Sequence, residues 1–489
     1  MALGLTKIEN LQDAVVTVMG LGRFKQGSGV GAAKWLMRHG AQIVVTDVKG
    51  EKELKSSVDL IMEWYASSRK EFPEREIYSP VFVLGKHDPD DFVNVDLVVK
   101  NPDVPKDHAY VKLAHDAGIM VESDVSLFLR FYPHPVYAVT GTRGKSTTTA
   151  LLGEMLKHLH PKTVVAGNIM HSPLEDLDWM LEEPGPVPVA LELSSWLLEG
   201  IDHVGRCPEI AVLTNVSVDH LDRYENFDVY FEAKMLLFKR QTPEQKAVLN
   251  YDHELVRKAG DRVRSKKYWF SKTKLPEGME GTYIEGDGDL VLRLGGPDRV
   301  ICNTKNWPSL QGEHNVENAL AATLASALAG VPDEGLCGAL RTFQGLEGRQ
   351  QTVREVNGVT YVNDTTATSP EGVIAALKRF RNGQRKNLVI ILGGKAKGFS
   401  FDEMAKLVRE TCKHVVYIEG SSTEEIEKAV GPEVPSTFVS DMESAVEACQ
   451  KAAAAGDVVL LSPGTASFGL FKNAYDRGGQ FVEAVKNLK

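Results

Sequence analysis

A short glycine-containing stretch, Gly141-Thr-Arg-Gly-Lys-Ser-Thr147, combines the residue types that bind phosphate groups. The apolar run 136–139 before it predicts a buried strand, and Lys145 and Ser146 open a helix with apolar periodicity. Backbone N–H groups at such a helix start point at an anion, and the helix dipole adds to their effect. The lysine would reach the terminal phosphates of a nucleotide, and the serine hydroxyl would bind Mg²⁺. The loop is one residue shorter than a full Walker A motif, because Val139 stands where that motif has its first glycine.

Polar residues also follow the neighbouring predicted strands of this central part. Asn168 follows the apolar run 163–166, and Glu192 ends the run that begins at Pro188. Open α/β sheets bind ligands at the C-terminal ends of their strands, so several such ends beside a phosphate loop predict a Mg²⁺–ATP site. Glu192 and His220 are the candidate metal ligands. Since Mg²⁺ prefers oxygen, the alternative for His220 is that it acts through water.

Lys234 stands among aromatic and aliphatic residues on a helix predicted from about Phe227 to Gln241. By itself the pattern favours an ordinary explanation, in which the stem of the lysine crosses an apolar face and its ammonium reaches water. Asn315 and Asn318, at the start of an alanine-rich helix, are either helix caps or nucleotide contacts.

The two flanking parts of the chain both predict parallel α/β sheets. In the first, a strand at 14–19 leads through Gly20-Leu-Gly22 to a helix and to a second strand that ends at Asp47, which resembles a dinucleotide fold with altered glycine spacing. The acid either bonds a nucleotide or merely ends a strand. In the last part, polar residues follow three strands, at 363–368, 393–398 and 462–468. Three such clusters predict a ligand with an anionic group.

Length and composition limit the class of protein. The chain has 489 residues and a net charge of −10 without long charged runs, which predicts several domains and argues against a nucleic-acid surface. The five cysteines are widely spaced, which indicates a reducing compartment. No signal peptide and no membrane span are expected. We predict three domains, at residues 1–133, 134–344 and 345–489.

Taken in order, these motifs resemble those of the Mur ligases. The residues that carry the resemblance are the phosphate loop, Gly167-Asn168, Glu192 to Ser195, Asn215 to Tyr224, Lys234, His314 to Ala319, Asn363 to Thr368 and Leu461 to Asn473. The resemblance implies a Rossmann-like N-terminal domain for a UDP substrate, a central P-loop ATPase domain and a Rossmann-like C-terminal domain for an amino acid. It also implies a cytoplasmic, monomeric, ATP-dependent ligase of peptidoglycan precursor synthesis.

Within the family, the resemblance is strongest to the ligases that join D-glutamate to UDP-N-acetylmuramoyl-L-alanine. It implies that ATP phosphorylates the terminal carboxylate of the UDP substrate and that the amine of the amino acid attacks the acyl phosphate. Four alternatives stay open: a ligase for L-glutamate or another amino acid, a ligase similar to folylpolyglutamate synthetase, a nicotinamide-dependent oxidoreductase, and a nucleotide-dependent binding protein. The D configuration comes from the resemblance alone.

The resemblance assigns roles to the residues at matching positions. The catalytic residues would be Lys145, His220 and Lys234, with Lys234 carbamylated. Mg²⁺ would be held by Ser146, Glu192, His220 and the modified Lys234. ATP would contact Gly141, Thr142, Gly144, Lys145, Ser146, Thr147, Asn318, Arg349 and Asp364. The UDP substrate would contact Gly22, Arg23, Asp47, Asn168 and Ser194, and the amino acid would contact Thr366, Thr368, Lys397, Ser467 and Phe468.

Thr366 departs from the family pattern, in which many members have a lysine at this position. A hydroxyl then replaces a charge, and charge-assisted hydrogen bonds are roughly twice as strong as neutral ones. Lys395, two residues before Lys397, is the residue predicted to restore the missing charge.

Overall fold

The computed structural model describes residues 4–22, 27–169, 171–219, 223–310, 312–395, 399–467, 470–471 and 473–488. In these residues the chain forms three sheets and two compact units, Met1–Asn306 with Glu313–Arg341, and Trp307–Gly312 with Thr342–Lys489. The predicted α/β class is confirmed, and the three domain boundaries stay predictions. Four predicted site residues lie outside the described residues: Arg23, His220, Lys397 and Phe468.

The first unit begins with a parallel sheet in the order β3-β2-β1-β4-β5. Its strands are β1 (Val15–Met19), β2 (Gln42–Asp47), β3 (Val81–Leu84), β4 (Leu97–Lys100) and β5 (Met120–Glu122). Its helices are α1 (Ser28–Arg38), α2 (Glu51–Glu71), α3 (Asp90–Val93), α4 (Ala109–Asp116) and α5 (Asp124–Phe131). Because neighbouring strands run parallel, the C-terminal ends of β1 and β2 meet at one edge, where the glycine loop at 20–22 and Asp47 lie together.

The same unit continues with a second sheet in the order β14-β13-β12-β11-β10-β9-β6-β8-β7. Its strands are β6 (Tyr137–Thr140), β7 (Val164–Gly167), β8 (Val189–Glu192), β9 (Ile210–Leu213), β10 (Lys246–Asn250), β11 (Lys266–Ser271), β12 (Gly281–Glu285), β13 (Asp289–Arg293) and β14 (Arg299–Asn303). Its helices are α6 (Lys145–Leu156), α7 (Leu174–Glu182), α8 (Ser195–Ile201), α9 (Phe227–Met235), α10 (Glu254–Ala259), α11 (Glu313–Ala329) and α12 (Asp333–Thr342). All residues of β8 and β9 are buried, as expected for parallel strands covered on both faces.

The second unit contains a sheet in the order β15-β16-β20-β17-β18-β19, in which β15 pairs antiparallel with β16. Its strands are β15 (Gln351–Val356), β16 (Val359–Asn363), β17 (Leu388–Leu392), β18 (Cys412–Ile418), β19 (Ser436–Val439) and β20 (Val458–Leu461). Its helices are α13 (Pro370–Phe380), α14 (Asp402–Thr411), α15 (Thr423–Val430), α16 (Met442–Ala452) and α17 (Ala474–Asn487). Because β20 pairs parallel with both β16 and β17, the loops that follow these three strands meet at one edge.

The helix that carries Lys234 is shorter than predicted. Asn226 caps its start by accepting a hydrogen bond from the N–H of Val229 at 3.0 Å. The α-helix ends at Met235, and a 3₁₀ turn, Leu236–Phe238, follows it. A 3₁₀ turn at a helix end tightens the chain, and the apolar pattern alone does not distinguish it from a further α-helical turn.

Two expectations concern membrane crossing and the state of the cysteines. Over the described residues, no helix combines the length and the apolar character that a membrane crossing requires. The five cysteines are free thiols, of which Cys302, Cys412 and Cys449 are buried.

Candidate active site

The phosphate loop between β6 and α6 is shaped by two glycines that no other residue could replace. Gly141 has a φ of +152°, and a Cβ atom there would lie 1.9 Å from Oγ1 of Thr214. Gly144 has a φ of +82°, and a Cβ atom there would lie 2.2 Å from Oδ1 of Asn318. Both the backbone conformation and the close approach therefore require glycine.

Asn215, which follows β9, ties the phosphate loop in place. Its carbonyl oxygen accepts from the N–H of Thr142 at 2.9 Å, and its side-chain oxygen accepts from the N–H of Arg143 at 2.9 Å. Nζ of Lys145 donates to the carbonyl of Thr142 at 2.9 Å, so the lysine folds back over the loop. The N-terminal N–H groups of α6 and this ammonium thus belong to one rigid loop suited to an anion.

Glu192, at the end of β8, is a buried carboxylate with one unsatisfied oxygen. It pairs in register with Val139 on β6, two residues before the phosphate loop. Its side chain is buried, and Oε1 accepts from Nδ2 of Asn168 at 2.8 Å. Its Oε2 atom has no hydrogen-bond partner among the residues that the structure describes. A buried oxygen left in this way is costly, and a bound cation would remove the cost.

This carboxylate suits Mg²⁺, which is usually bound by one or two carboxylates together with substrate phosphates. Within the described ranges, no three His, Cys, Asp or Glu side chains cluster as a complete metal site. Ser146, at the start of α6, is the predicted hydroxyl ligand for the same ion.

Lys234 is buried, so the explanation in which its ammonium reaches water is wrong. Its relative exposure is 1%, and Nζ donates to the carbonyl of Gly141 at 2.8 Å. The same nitrogen lies 4.5 Å from the ring centroid of Tyr230. Burial and the nearby charge of Lys145 lower the pKa of Lys234 to about 6, and Asp219 partly opposes them. At neutral pH this side chain is therefore mostly an uncharged, nucleophilic amine.

Asn315 and Asn318 lie inside α11 and not at its N-cap position, since the helix begins at Glu313. Both are buried. Oδ1 of Asn318 accepts from Oγ1 of Thr148 at 3.3 Å, and its amide nitrogen donates to Asn315 at 3.4 Å. The cap alternative is wrong for this pair, and the structure places Asn318 against the phosphate loop.

In the second unit, Asp364 is a buried acid at the end of β16. Its oxygens accept from the N–H of Gln350 at 3.0 Å and from the hydroxyl of Ser462 at 2.7 Å. Burial raises the pKa of Asp364 to about 7, although the charges of Arg349 and Arg379 act in the opposite direction. Arg379 is not among the predicted site residues, because an arginine on the amphipathic helix α13 carries no signal that separates it from a surface residue.

Three of the residues predicted to contact an amino acid lie on neighbouring loops of the second unit. The hydroxyl of Thr366 donates to the carbonyl of Gly348 at 2.9 Å, and the N–H of Thr368 donates to the carbonyl of Thr366 at 2.9 Å. Ser467 is buried on the loop after β20. The backbone N–H of Lys395 donates to the carbonyl of Ala466 on this loop at 2.8 Å. The side chain of Lys395 is exposed.

The residues predicted to bind the UDP substrate are held by local hydrogen bonds in the first unit. The carboxylate of Asp47 is buried and accepts from the N–H groups of Leu21 and Lys49, each at 2.9 Å. Gly22 beside it has a φ of +73°. Ser194 caps α8 by accepting from the N–H of Leu197 at 3.3 Å. Asp47 therefore does more than end a strand, because it shapes the glycine loop.

Comparison with known proteins defines the class that this fold and site represent. The family model of the Mur ligase middle domain matches residues 139–326. The family model described as 'Mur ligase, glutamate ligase domain' matches residues 348–464. The chain belongs to the Mur ligase family. It is 39% identical to the UDP-N-acetylmuramoylalanine--D-glutamate ligase of Roseiflexus sp. (strain RS-1), over 96% of this chain and 98% of that protein. It is 37% identical to the protein of that name from Trichlorobacter lovleyi, over 98% of this chain and 100% of the relative.

Solved structures of other Mur ligases share the fold. UDP-N-acetylmuramate-alanine ligase MurC from Thermotoga maritima aligns with a TM-score of 0.61 at 20% identity, over 97% of this chain and 100% of that chain. MurF from Acinetobacter baumannii aligns with a TM-score of 0.57 at 16% identity, over 95% of this chain and 93% of that chain. At these identities the likeness concerns architecture, and it confirms the three-sheet Mur ligase fold.

Proposed function

We propose that this chain is an ATP-dependent ligase that joins D-glutamate to UDP-N-acetylmuramoyl-L-alanine in peptidoglycan precursor synthesis. Relatives named for this activity cover nearly the whole chain at 32–39% identity. The observation that carries the proposal is the buried amine of Lys234 bonded to the first residue of the phosphate loop. A nicotinamide-dependent oxidoreductase has no use for this arrangement, whereas a ligase that activates a carboxylate needs phosphate binding and adjacent charge control.

In the proposed reaction, the terminal phosphoryl group of ATP moves to the carboxylate of the substrate's L-alanine residue. The bond to ADP breaks and an acyl phosphate forms. The amine of D-glutamate then attacks the acyl carbon and loses a proton, and phosphate leaves. Such chemistry depends mainly on positioning and charge neutralisation. Lys145 would neutralise charge on the transferring group, and the first N–H groups of α6 would bind phosphate oxygens.

A few residues beside the phosphate loop are the proposed ligands of the metal. Mg²⁺, which neutralises phosphate charge when bound, would be held by Ser146 and Glu192. The unsatisfied Oε2 atom of Glu192 supports this assignment, and Asn168 would keep the carboxylate oriented. The family resemblance adds His220 and a carbamate on Lys234 as further metal ligands.

Carbamylation of Lys234 is part of the proposal. The uncharged amine would add to carbon dioxide, and the product is a carbamate anion and one proton. The lowered pKa supports this step, because an amine must lose its proton before it can act as the nucleophile. A buried neutral amine would then become an anion beside the phosphate loop.

The remaining contacts are assigned by resemblance. ATP would also contact Thr142, Thr147, Asn318, Arg349 and Asp364. The UDP substrate would contact Gly22, Arg23, Asp47, Asn168 and Ser194, and D-glutamate would contact Thr366, Thr368, Lys397, Ser467 and Phe468. We further propose that the enzyme works in the cytoplasm as a monomer. The free cysteines suit a reducing compartment, and light scattering of the purified chain tests the monomer.

Product analysis tests the proposed function most directly. The purified chain is incubated with UDP-N-acetylmuramoyl-L-alanine, Mg²⁺, ATP and each member of a panel of D- and L-amino acids, and the products are identified by mass spectrometry. We expect an amide with D-glutamate and stoichiometric ADP and phosphate. A clear preference for L-glutamate would favour the alternative ligase, and nucleotide binding without any amide would contradict ligation altogether.

A further inference from the structure

A fully buried arginine lies where two strand-end loops of the second unit meet. Arg477, near the start of α17, has a relative exposure of 0%. Its Nε donates to Oγ1 of Thr365 at 3.1 Å, and its Nη2 donates to the carbonyl of Thr365 at 2.8 Å. Both Nη atoms lie 3.4 Å from the carbonyl oxygen of Thr465. The guanidinium therefore joins the loop after β16 to the loop after β20.

The loop after β17 closes on the same group. Gly394 has a φ of +134°, and a Cβ atom there would lie 2.4 Å from the carbonyl oxygen of Ala466 and 3.4 Å from Nη1 of Arg477. The next residue, Lys395, bonds the carbonyl of Ala466 through its N–H. Three loops predicted to contact the amino acid are thus packed around one buried cation.

Among the residues that the structure describes, no carboxylate offsets the charge of this cation. Burial alone lowers the pKa of Arg477 to about 9, and no charge among the described residues contributes to the shift. The guanidinium therefore keeps its charge at neutral pH. The positions of this unit outside the described ranges, 311, 396–398, 468–469, 472 and 489, contain no Asp or Glu.

Another buried charged residue of the same unit, Asp457, does have partners of opposite charge. Asp457 is buried, yet its oxygens accept from Arg385 at 3.1 Å and from Lys413 at 2.7 Å. Buried charges are normally paired in this way, because an unpaired one is costly. Arg477 departs from that rule at the place where an anionic substrate is expected.

We propose that the carboxylate of the amino-acid substrate is the anion that balances Arg477. The inference rests on the proposed function and deepens it. Arg477 is a positioning residue: it holds the loops that carry Thr366 and Ser467, and its charge makes them favourable to an anion. Because the guanidinium is buried, its field is screened less than that of an exposed side chain such as Lys395.

The assignment also places a charge close to the loop that carries the hydroxyl of Thr366. A lysine there would place a charge on the loop surface, whereas this chain has a permanent charge directly beneath the same loop. The compensation by Lys395 stays a separate prediction. The substrate would contact neutral hydrogen-bond donors directly. Their preference for a carboxylate over an amide would come from the charge of Arg477 beneath them.

The experiment separates the charge of Arg477 from its bridging of loops. Wild type, R477M and R477K are assayed with UDP-N-acetylmuramoyl-L-alanine and ATP against D-glutamate, D-glutamine and D-isoglutamine, the last two being its side-chain and α-carboxyl amides. The matched control is R409M, since Arg409 also donates to two backbone carbonyls, of Ala429 at 2.7 Å and Val430 at 3.2 Å, but lies away from these loops.

We expect R477M to lower kcat/KM for D-glutamate roughly tenfold, mainly through KM, and to reduce the preference over at least one amide by a similar factor. The KM values for ATP and for the UDP substrate should stay within about twofold. R477K keeps the charge without the planar fork, so it should retain most of the preference even if its turnover falls. R409M should behave as wild type.

Two results would overturn the proposal. One is an R477M enzyme that keeps the wild-type preference over both amides. The other is an R477K enzyme that loses the preference as fully as R477M does, because the charge is then not what sets the preference. If R477M does not fold, R477Q takes its place, since it keeps a hydrogen-bond donor without the charge: a lost preference supports the charge role, and a kept one refutes it. Failure of the wild type to ligate D-glutamate would instead refute the proposed function.

Discussion

Burial lowers the pKa of two basic side chains, Lys234 beside the phosphate loop and Arg477 in the second unit, but with different results for their charge. Each donates to backbone carbonyl groups, of Gly141 in one case and of Thr365 and Thr465 in the other. Burial lowers the pKa of the lysine to about 6 and that of the arginine to about 9. At neutral pH the lysine has therefore mostly lost its proton, and the arginine has not.

The difference shows how residue type decides what a buried site can do. An amine that gives up its proton becomes a nucleophile and is open to carbamylation, which reverses its charge. A guanidinium cannot follow this route, because its charge is delocalised and its ordinary pKa is far above neutrality. The first unit thus holds an amine that can be converted to an anion, and the second holds a cation that is permanent.

The largest expected effect is that of Lys145→Ala. It removes a charge from the phosphate loop, and loss of one such group typically costs about 10²–10³ in rate. The charge of Lys145 also lowers the pKa of Lys234, so the variant should raise that pKa and reduce carbamate formation at a given pH. Turnover measures the first effect, and ¹³C NMR with labelled bicarbonate measures the second. Near-normal ligation would exclude the phosphate loop from the mechanism.

Exchanging one kind of cation for the other tests the comparison directly. Lys234→Arg places a permanent charge where the convertible one stood, and we expect roughly a 10²-fold or larger loss of turnover. Lys234→Ala should be similarly impaired, yet partly rescued by formate or acetate, which can supply the missing anion. The arginine variant should not respond to these acids. An active Lys234→Arg enzyme would rule out the carbamate.

Asp364→Asn tests how burial changes the ionisation of an acid. The folded pKa of Asp364 is about 7, against an ordinary value of 3.8, so the folded chain binds a proton more tightly than the unfolded chain. The stability of the wild type should therefore fall, relative to the variant, as the pH rises from about 4 to about 7, by up to a few kcal/mol.

Urea unfolding without nucleotide, at pH 5 and pH 8, measures this difference for both proteins. The asparagine keeps an oxygen that can accept from the N–H of Gln350, so the variant should fold. An identical pH dependence of wild type and variant would show that Asp364 ionises normally.

The smallest effect is expected for Asp47→Ala, where the buried charge is already satisfied by backbone N–H groups. Losing these bonds should loosen the glycine loop and raise the KM for the UDP substrate roughly three- to tenfold, with the KM for ATP unchanged. Asp96→Ala is the matched control, because Asp96 also accepts from a backbone N–H, that of Val15 at 2.8 Å, at the other end of β1. Equal changes in both KM values would contradict a role specific to the UDP substrate.

Local pattern was sufficient for the elements that position the site. The first strand, predicted at 14–19, is observed at Val15–Met19, and the second ends at Asp47 as predicted, because short apolar runs bounded by polar residues leave few alternatives. The phosphate loop and the carboxylate at the end of β8 were likewise visible, since their chemistry depends on neighbours in the chain. The hairpin strands β12 to β14 were not predicted.

Tertiary structure alone decided which charged side chains are buried. Lys234 meets a carbonyl 93 residues before it, and Arg477 meets a threonine 112 residues before it. In the sequence each is an ordinary cation on a helix, and nothing nearby distinguishes it from a surface residue. Burial, and with it the pKa, depends on packing between distant segments, so the convertible lysine and the permanent arginine could be told apart only in the folded chain.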